Sequence, residues 1–171
     1  MKKICLLFVW CLACAFTAHA QKFALIDMEY ILENIPEYQK ANDELNLASQ
    51  QYQKAIEAKA KEAETLYTAY QKASATLNAA QRTQKEEAIV AKEKEAAELR
   101  KKYFGPEGEM AQKQEDLIAP IQNRIYEAVK QISTQKGYDA VIDRASATSI
   151  IFASPRIDIS NEVLAMLGYS N

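Results

Sequence analysis

The sequence predicts an α+β fold in which a long α-helical, coiled-coil-like hairpin, a tentacle, stands on a small β-sheet base. Three observations carry this reading. From Glu37 to Phe104 there is neither Gly nor Pro, in a run dominated by Ala, Glu, Gln and Lys, residues that lose little on entering a helix. Short apolar blocks of strand character lie toward both ends of the chain. If those blocks share one sheet, the helical middle must leave a place and return to it.

The elements follow in chain order. Met1-Lys2-Lys3 is a short basic start, Ile4 to Phe16 is apolar but too short to span a bilayer, and Ala18-His19-Ala20 is a small-x-small cleavage site. Residues 1–20 therefore read as a secretory signal. Two alternatives stand beside it: an uncleaved membrane anchor, and lipoprotein processing at Cys14 after Leu12-Ala13. Cleavage after Ala20 removes Cys5, Cys11, Cys14, His19 and Trp10, so the remaining chain has no Cys, His or Trp. That excludes disulfides, thiol or imidazole catalysis, and zinc sites built on those ligands. With Lys2 and Lys3 gone, 19 basic residues face 23 acidic ones, a net charge of −4. Such a balance argues against nucleic acid as a partner, because phosphate contacts need a basic face.

Residues 21–36 and 137–171 are expected to form the β-rich base. Phe23 to Leu32 (FALIDMEYIL) suits a strand leading into a short helix, and Asn34-Ile35-Pro36 punctuates the chain. Near the other end, Gly137 closes a helix, Tyr138 to Arg144 (YDAVIDR) reads as a strand, and Ser149 to Ala153 (SIIFA) as another. Asp158 is placed to cap a last amphipathic helix carrying Ile159, Val163, Leu164 and Leu167, with Gly168 after its end.

Residues 37–136 are the arm, and closure decides where it turns. A turn at Gly105 would leave arms of about 68 and 28 residues, a mismatch near 60 Å at about 1.5 Å per residue. Nearly equal arms place the tip within residues 74–86, where Ser74, Thr76, Asn78 and Thr83 lower helix propensity and offer caps. Gly105, Pro106 and Gly108 then become a kink or hinge in the returning arm.

Heptad spacing pairs the two arms. Leu45, Tyr52, Ile56, Lys59, Ala63, Leu66, Tyr70, Ala73 and Leu77 mark the outgoing seam; Ile89, Ala96, Tyr103, Met110, Leu117, Ile121, Ile125, Ala128 and Ile132 mark the returning one. The many Ala residues and Lys59 make this seam looser than a leucine zipper. Tyr67 and Phe104 fall off it and, with Tyr70, Tyr103 and Met110, are the candidates for contacting a partner. The outer arm carries a modest basic excess, including Lys72, Arg82, Lys85 and Arg100 to Lys102. A carboxylate enzyme would have to use Asp139 and Asp143, same-facing on a strand, with nothing else converging on them. No catalytic residue, metal ligand or cofactor is therefore assigned.

The order of these blocks, FALIDMEYIL, a long hairpin, YDAVIDRA, SIIFAS and DISNEVLAML, resembles the Skp/OmpH family of periplasmic chaperones over essentially the whole chain after the signal. The terminal blocks are the specific part, notably Asp139 to Asp143 followed by Asp158 to Ser160 and Val163-Leu164. The resemblance implies a jellyfish-like homotrimer whose strands assemble a common base, for which Phe23, Leu25, Ile26, Val141, Ile142, Ile151 and Phe152 are the candidates. It further implies a non-enzymatic, ATP-independent holdase in the periplasm, binding unfolded outer-membrane proteins in a cavity between the arms, with a weak contact to anionic membrane lipid as a further expectation. The competing expectation is a structural coiled-coil spacer or adaptor of the cell envelope.

Overall fold

Strand β1 (Phe23–Ile26) and helix α1 (Met28–Glu33) open the part of the chain described by the computed structural model, which covers residues 21–147 and 149–169. The expected signal, with Cys14 and the other cysteines, lies outside the described residues. Helices α2 (Pro36–Ala73), α3 (Ala79–Phe104) and α4 (Glu109–Lys136) follow, then β2 (Ala140–Asp143), a 3-10 turn at Pro155–Ile157 and α5 (Ser160–Met166). The chain divides into two compact units: one holds the described residues of Met1–Asn34 and Ile125–Asn171, the other Ile35–Arg124.

The first unit is built on a parallel pair. Phe23 lies opposite Ala140 and Ile26 opposite Asp143. Ala24, Leu25 and Ile26 are all buried, as suits a parallel strand covered on both faces. Around them Ile31, Leu32, Ile125, Ala128, Ile132, Ile159, Val163 and Leu164 complete an apolar core. Polar groups fix its edges. Asp27 caps α1 by accepting from the Tyr30 N–H at 2.9 Å and pairs with Arg144 at 3.0 Å. Gly137, at φ +67°, ends α4 in the left-handed conformation, and the Tyr138 N–H then reaches back to the Ser133 carbonyl at 3.0 Å.

Two details depart from the sequence reading. Ser149–Ala153 is not a strand: Ile151 is 101% and Phe152 84% exposed, and among the described residues the segment has no neighbouring strand to pair with. The position beside β1 is taken by a single bridge from Leu25 to Asp158, with the Ile159 N–H donating to the Leu25 carbonyl at 2.9 Å. Asp158 is not the cap residue of α5 either. Ile159 holds that position, while the Asp158 carboxylate accepts from the Ser160 N–H and hydroxyl at 2.9 and 2.6 Å.

In the second unit, α2 starts with Pro36 at its first position, where the missing N–H costs nothing. The chain leaves helix between Ser74 and Asn78. A capping box starts α3: Asn78 accepts from the Gln81 N–H at 2.9 Å and the Gln81 side chain accepts from the Asn78 N–H at 3.1 Å. Arg82 fastens the tip, donating to the carbonyls of Ser74 and Leu77 at 3.0 and 3.3 Å. Four residues, Gly105 to Gly108, separate α3 from α4, and Pro120 removes one ladder bond inside α4.

Candidate functional site

Small side chains set how α2 and α3 meet. The buried positions of α2 are Ala41, Ala48, Ile56 and Ala63, and α3 buries Ile89 alone. Ala41 and Ala48 lie on the row beside the expected Leu45 and Tyr52, which are only half-buried. Leu66, expected in the seam, is 38% exposed. With so little apolar area to bury, polar ties carry much of the pairing.

Those ties are stacked along the hairpin. Nearest the tip, the Tyr70 hydroxyl donates to Glu86. Next comes a quartet of alternating charge: Lys59 reaches Glu62 at 3.1 Å and Glu95 at 3.4 Å, and Lys92 reaches Glu62 at 3.2 Å and Glu95 at 3.0 Å. Hydrogen bonds from Lys59 and then Lys92 hold the Glu62 carboxyl below the usual carboxylate range, and Lys92 does the same for Glu95 with help from Lys59. Lys59 thus fills an apolar seam position by pairing across it. Third is an aromatic layer in which Tyr52 stacks on Tyr103, centroids 4.1 Å apart and planes at 6°, and meets Phe104 edge-on at 6.3 Å. Beyond it, Lys113 pairs with Glu44 and Arg124 approaches Glu37 at 3.9 Å.

Two shallow grooves flank the quartet. One, of about 360 Å³, is lined by Ile56, Tyr67 and four alanines (60, 63, 96 and 97) together with the charged Glu64, Glu93 and Arg100. The other, of about 560 Å³, is lined by Ala58, Lys61, Glu62, Thr65, Leu66 and Lys92. Alanine at the helix contact leaves room that a larger side chain from elsewhere can fill.

The expected contact residues fall into two groups. Tyr67 is half-exposed in a groove wall. Tyr70 and Tyr103 are half-buried and engaged by Glu86 and Tyr52, and Met110 is half-buried just after the Gly-Pro break. Phe104, expected off the seam, instead packs on Tyr52 while keeping 40% of its surface exposed. Leu66 and the quartet partners were missed. Their signal was legible: Lys59 and Glu95, and Glu62 and Lys92, lie symmetrically about Leu77, so opposite charges three apart on each arm meet across the hairpin.

Of the base candidates, Leu25 and Ile26 are buried in their own unit and offer no surface. Phe23 at 46%, Ile142 at 41%, Ile151 and Phe152 are exposed, and Val141 is half-buried. Asp139 and Asp143 do not form a reactive pair. Asp139 accepts from the Lys22 N–H at 2.8 Å, and Asp143 accepts from the N–H groups of Met28 and Ala145 at 3.1 and 3.0 Å. Burial pushes the Asp143 carboxyl up, but hydrogen bonds from Met28, Ser146 and Ala145 outweigh it and leave it below its ordinary value.

Comparison with known proteins agrees with this architecture. The family described as Outer membrane protein (OmpH-like) matches residues 22–167. A relative named Chaperone protein Skp, from Yersinia enterocolitica, is 26% identical over 153 residues, 90% of each chain. A crystal structure of a candidate outer membrane chaperone (OmpH-like) from Caulobacter crescentus CB15 shares the fold, with a TM-score of 0.66 over 86% of this chain and 84% of that one at 13% identity.

Proposed function

The chain belongs to the OmpH-like outer membrane protein family, and from that premise we propose that it is an ATP-independent holdase of the periplasm. It binds unfolded outer-membrane proteins between helical arms and keeps them from aggregating. The observation that carries this reading is the hairpin surface, where exposed Leu66 and Tyr67 line open grooves over an alanine-rich seam that polar ties bridge. Weak apolar contacts repeated along several arms shield a client collectively, and mass action then favours its unfolded bound state.

Residues 1–20 deliver the chain as a cleavable secretory signal in this proposal. Three copies assemble through the base, because a two-stranded sheet is a poor core by itself and Ile151, Phe152, Phe23 and Ile142 present apolar surface beside it. Tyr67 and Leu66 are the foremost client contacts, with Phe104, Tyr70, Tyr103 and Met110 behind them. A contact with anionic lipid has less support than the sequence suggested. Arg82, Lys92, Lys94 and Lys102 are tied to the tip carbonyls, the quartet, Glu98 and Glu109.

The test is dilution of a urea-unfolded β-barrel membrane protein into buffer with and without this chain. Suppressed light scattering at a near-stoichiometric ratio, weakened by Leu66→Ser with Tyr67→Ser at unchanged assembly mass, is expected. Equal scattering with and without the chain would sink the proposal and leave the spacer reading, for which deleting the tip alone should abolish function.

A further inference from the structure

The two grooves beside the quartet lie on opposite flanks of the hairpin and differ in charge. Ala63 is buried against α3, and at about 100° per residue Glu64 and Tyr67 turn to one side of it while Glu62 and Leu66 turn to the other. On α3, about the buried Ile89, Glu93 turns one way and Lys92 the other. In the larger groove Lys59 and Lys92 hold the Glu62 carboxylate within the quartet, which leaves Lys61 as an exposed cation with no side-chain partner among the described residues. In the smaller groove Glu64 and Glu93 are exposed and likewise unpaired, and Arg100 lies about 10 Å further along α3 from Glu93. One flank thus offers a free amine beside Leu66, 38% exposed; the other offers two free carboxylates beside Tyr67, 50% exposed, and four alanines.

These complementary groups also share a height. Lys61 and Glu93 are symmetric about Leu77, as the pairs Lys59–Glu95 and Glu62–Lys92 are, and Glu64 stands less than one turn from Lys61. Lys61 and Glu93 open to opposite flanks, so they meet between hairpins rather than within one. A contact between unlike flanks is heterologous: each copy that uses one flank keeps the other free, so the contact repeats and closes a ring where the rotation allows. Rotation about an axis running alongside the hairpins brings equal heights together, as Lys61 and Glu93 require.

We propose that the occupant of the groove walled by Tyr67 is the neighbouring copy of this chain: before a client is bound the hairpins zip flank to flank, Leu66 of one copy seating against Tyr67 and the alanines of the next while Lys61 pairs with Glu93 and Glu64. The inference rests on the assembly and client binding proposed above, and adds that a client must displace a neighbouring hairpin to reach Leu66 and Tyr67. Exposed ion pairs are individually weak and screened by salt, so the closure is readily displaced.

Carbodiimide coupling, which joins an amine to a carboxylate in contact with it, tests this on the full assembly. Isotope-labelled and unlabelled copies are refolded together from urea, coupled, digested and read by mass spectrometry, so that a mixed-isotope pair of peptides joins two copies. Lys61 coupled to Glu93 in mixed form is expected. A saturating urea-unfolded β-barrel membrane protein should lower that link about tenfold, and so should about 1 M salt. Lys61→Glu combined with Glu93→Lys reverses both charges and should again give a mixed link between the two positions. Links from Lys59 to Glu95 and from Lys92 to Glu62, within one hairpin, control for the coupling. If those form, the mass is that of several copies and scattering is suppressed, yet no mixed Lys61 to Glu93 link appears, this inference falls and the holdase reading stands. Mixed links that client leaves unchanged would overturn the displacement. A monomeric mass would overturn both readings, and mixed links without suppression of scattering would sink the holdase reading alone.

Discussion

In the base unit the largest side chains with almost no exposed surface are Ile31, Ile125, Ile132 and Val163; the second unit buries Ile35 and Ile121, but along α2 and α3 its buried side chains are Ala41, Ala48, Ile56, Ala63 and Ile89. A fully buried Ile or Val contributes about 1.5–3 kcal/mol, whereas an Ala methyl contributes less than about 1 kcal/mol. The base is thus held by apolar burial. The hairpin is held by helix propensity, thin Ala contacts and a ladder of exposed polar ties. One chain therefore combines a unit held mainly by apolar burial with one that leans more on polar contacts.

The largest effect that would sharpen this contrast is a cavity in the base. Ile132→Ala should cost about 2–5 kcal/mol by urea unfolding, while Ala63→Gly in the hairpin should cost about 1 kcal/mol, mostly propensity. Equal costs would erase the distinction. Next comes the crowded break, where Gly108→Ala forces backbone to move and should cost about 1–3 kcal/mol in a thermal scan, against little for an exposed Ala substitution such as Lys85→Ala. Salt should act more on the hairpin than on the base, whose ion pairs Asp27–Arg144 and Lys136–Glu162 lie beside an apolar core. Raising it from about 0.1 M to about 1 M screens the half-exposed quartet and should speed amide exchange in α2 and α3 by about threefold, leaving β1 unchanged.

The smallest effect is that of pH. Glu62, Glu95 and Glu109 have lowered pKa values, so their contribution is complete above the ordinary carboxylate range, about 4.3, and is lost as pH falls through the lowered values. Exchange in the hairpin should be flat from about pH 5 to 8 after correction for intrinsic rates, and rise below about pH 4. A hairpin that loosened near pH 6 instead would mean that other groups set its closure.

Much of the architecture was legible because it rests on local chemistry. The breaker-free run, the Asn-Ile-Pro and Lys-Gly boundaries, and the polar cluster at Ser74–Asn78 each act within a few residues, and α2 ends at Ala73 while α3 begins at Ala79. The break between those helices, residues 74–78, lies within the 74–86 window where equal arms put the tip. The last turns of α4, from Ile125, fall in the base unit. SIIFA was misread because β-branched and aromatic content reports a preference for pairing, not a partner. At the candidate surface, Tyr67 could be picked out by its phase. Phe104 could not, because its packing on Tyr52 depends on how the break turns the end of α3. The quartet was overlooked for a different reason: its symmetry about Leu77 is in the sequence, but a seam template scores Lys59 as a defect, while its meaning lies in Glu95 on the other arm.

The parallel pairing of β1 with β2 joins residues 117 positions apart, as the bond from Lys22 to Asp139 shows. Closing so long a loop from an unfolded chain is entropically costly and slow, but helices that form locally can bring its ends near one another first. The order of synthesis then matters. β1 emerges early and must wait, unpaired, until about two thirds of the chain has followed it. During that interval Phe23 to Ile26 is an apolar strand with open edges, so the newly made chain briefly presents the kind of surface that it would later cover in others.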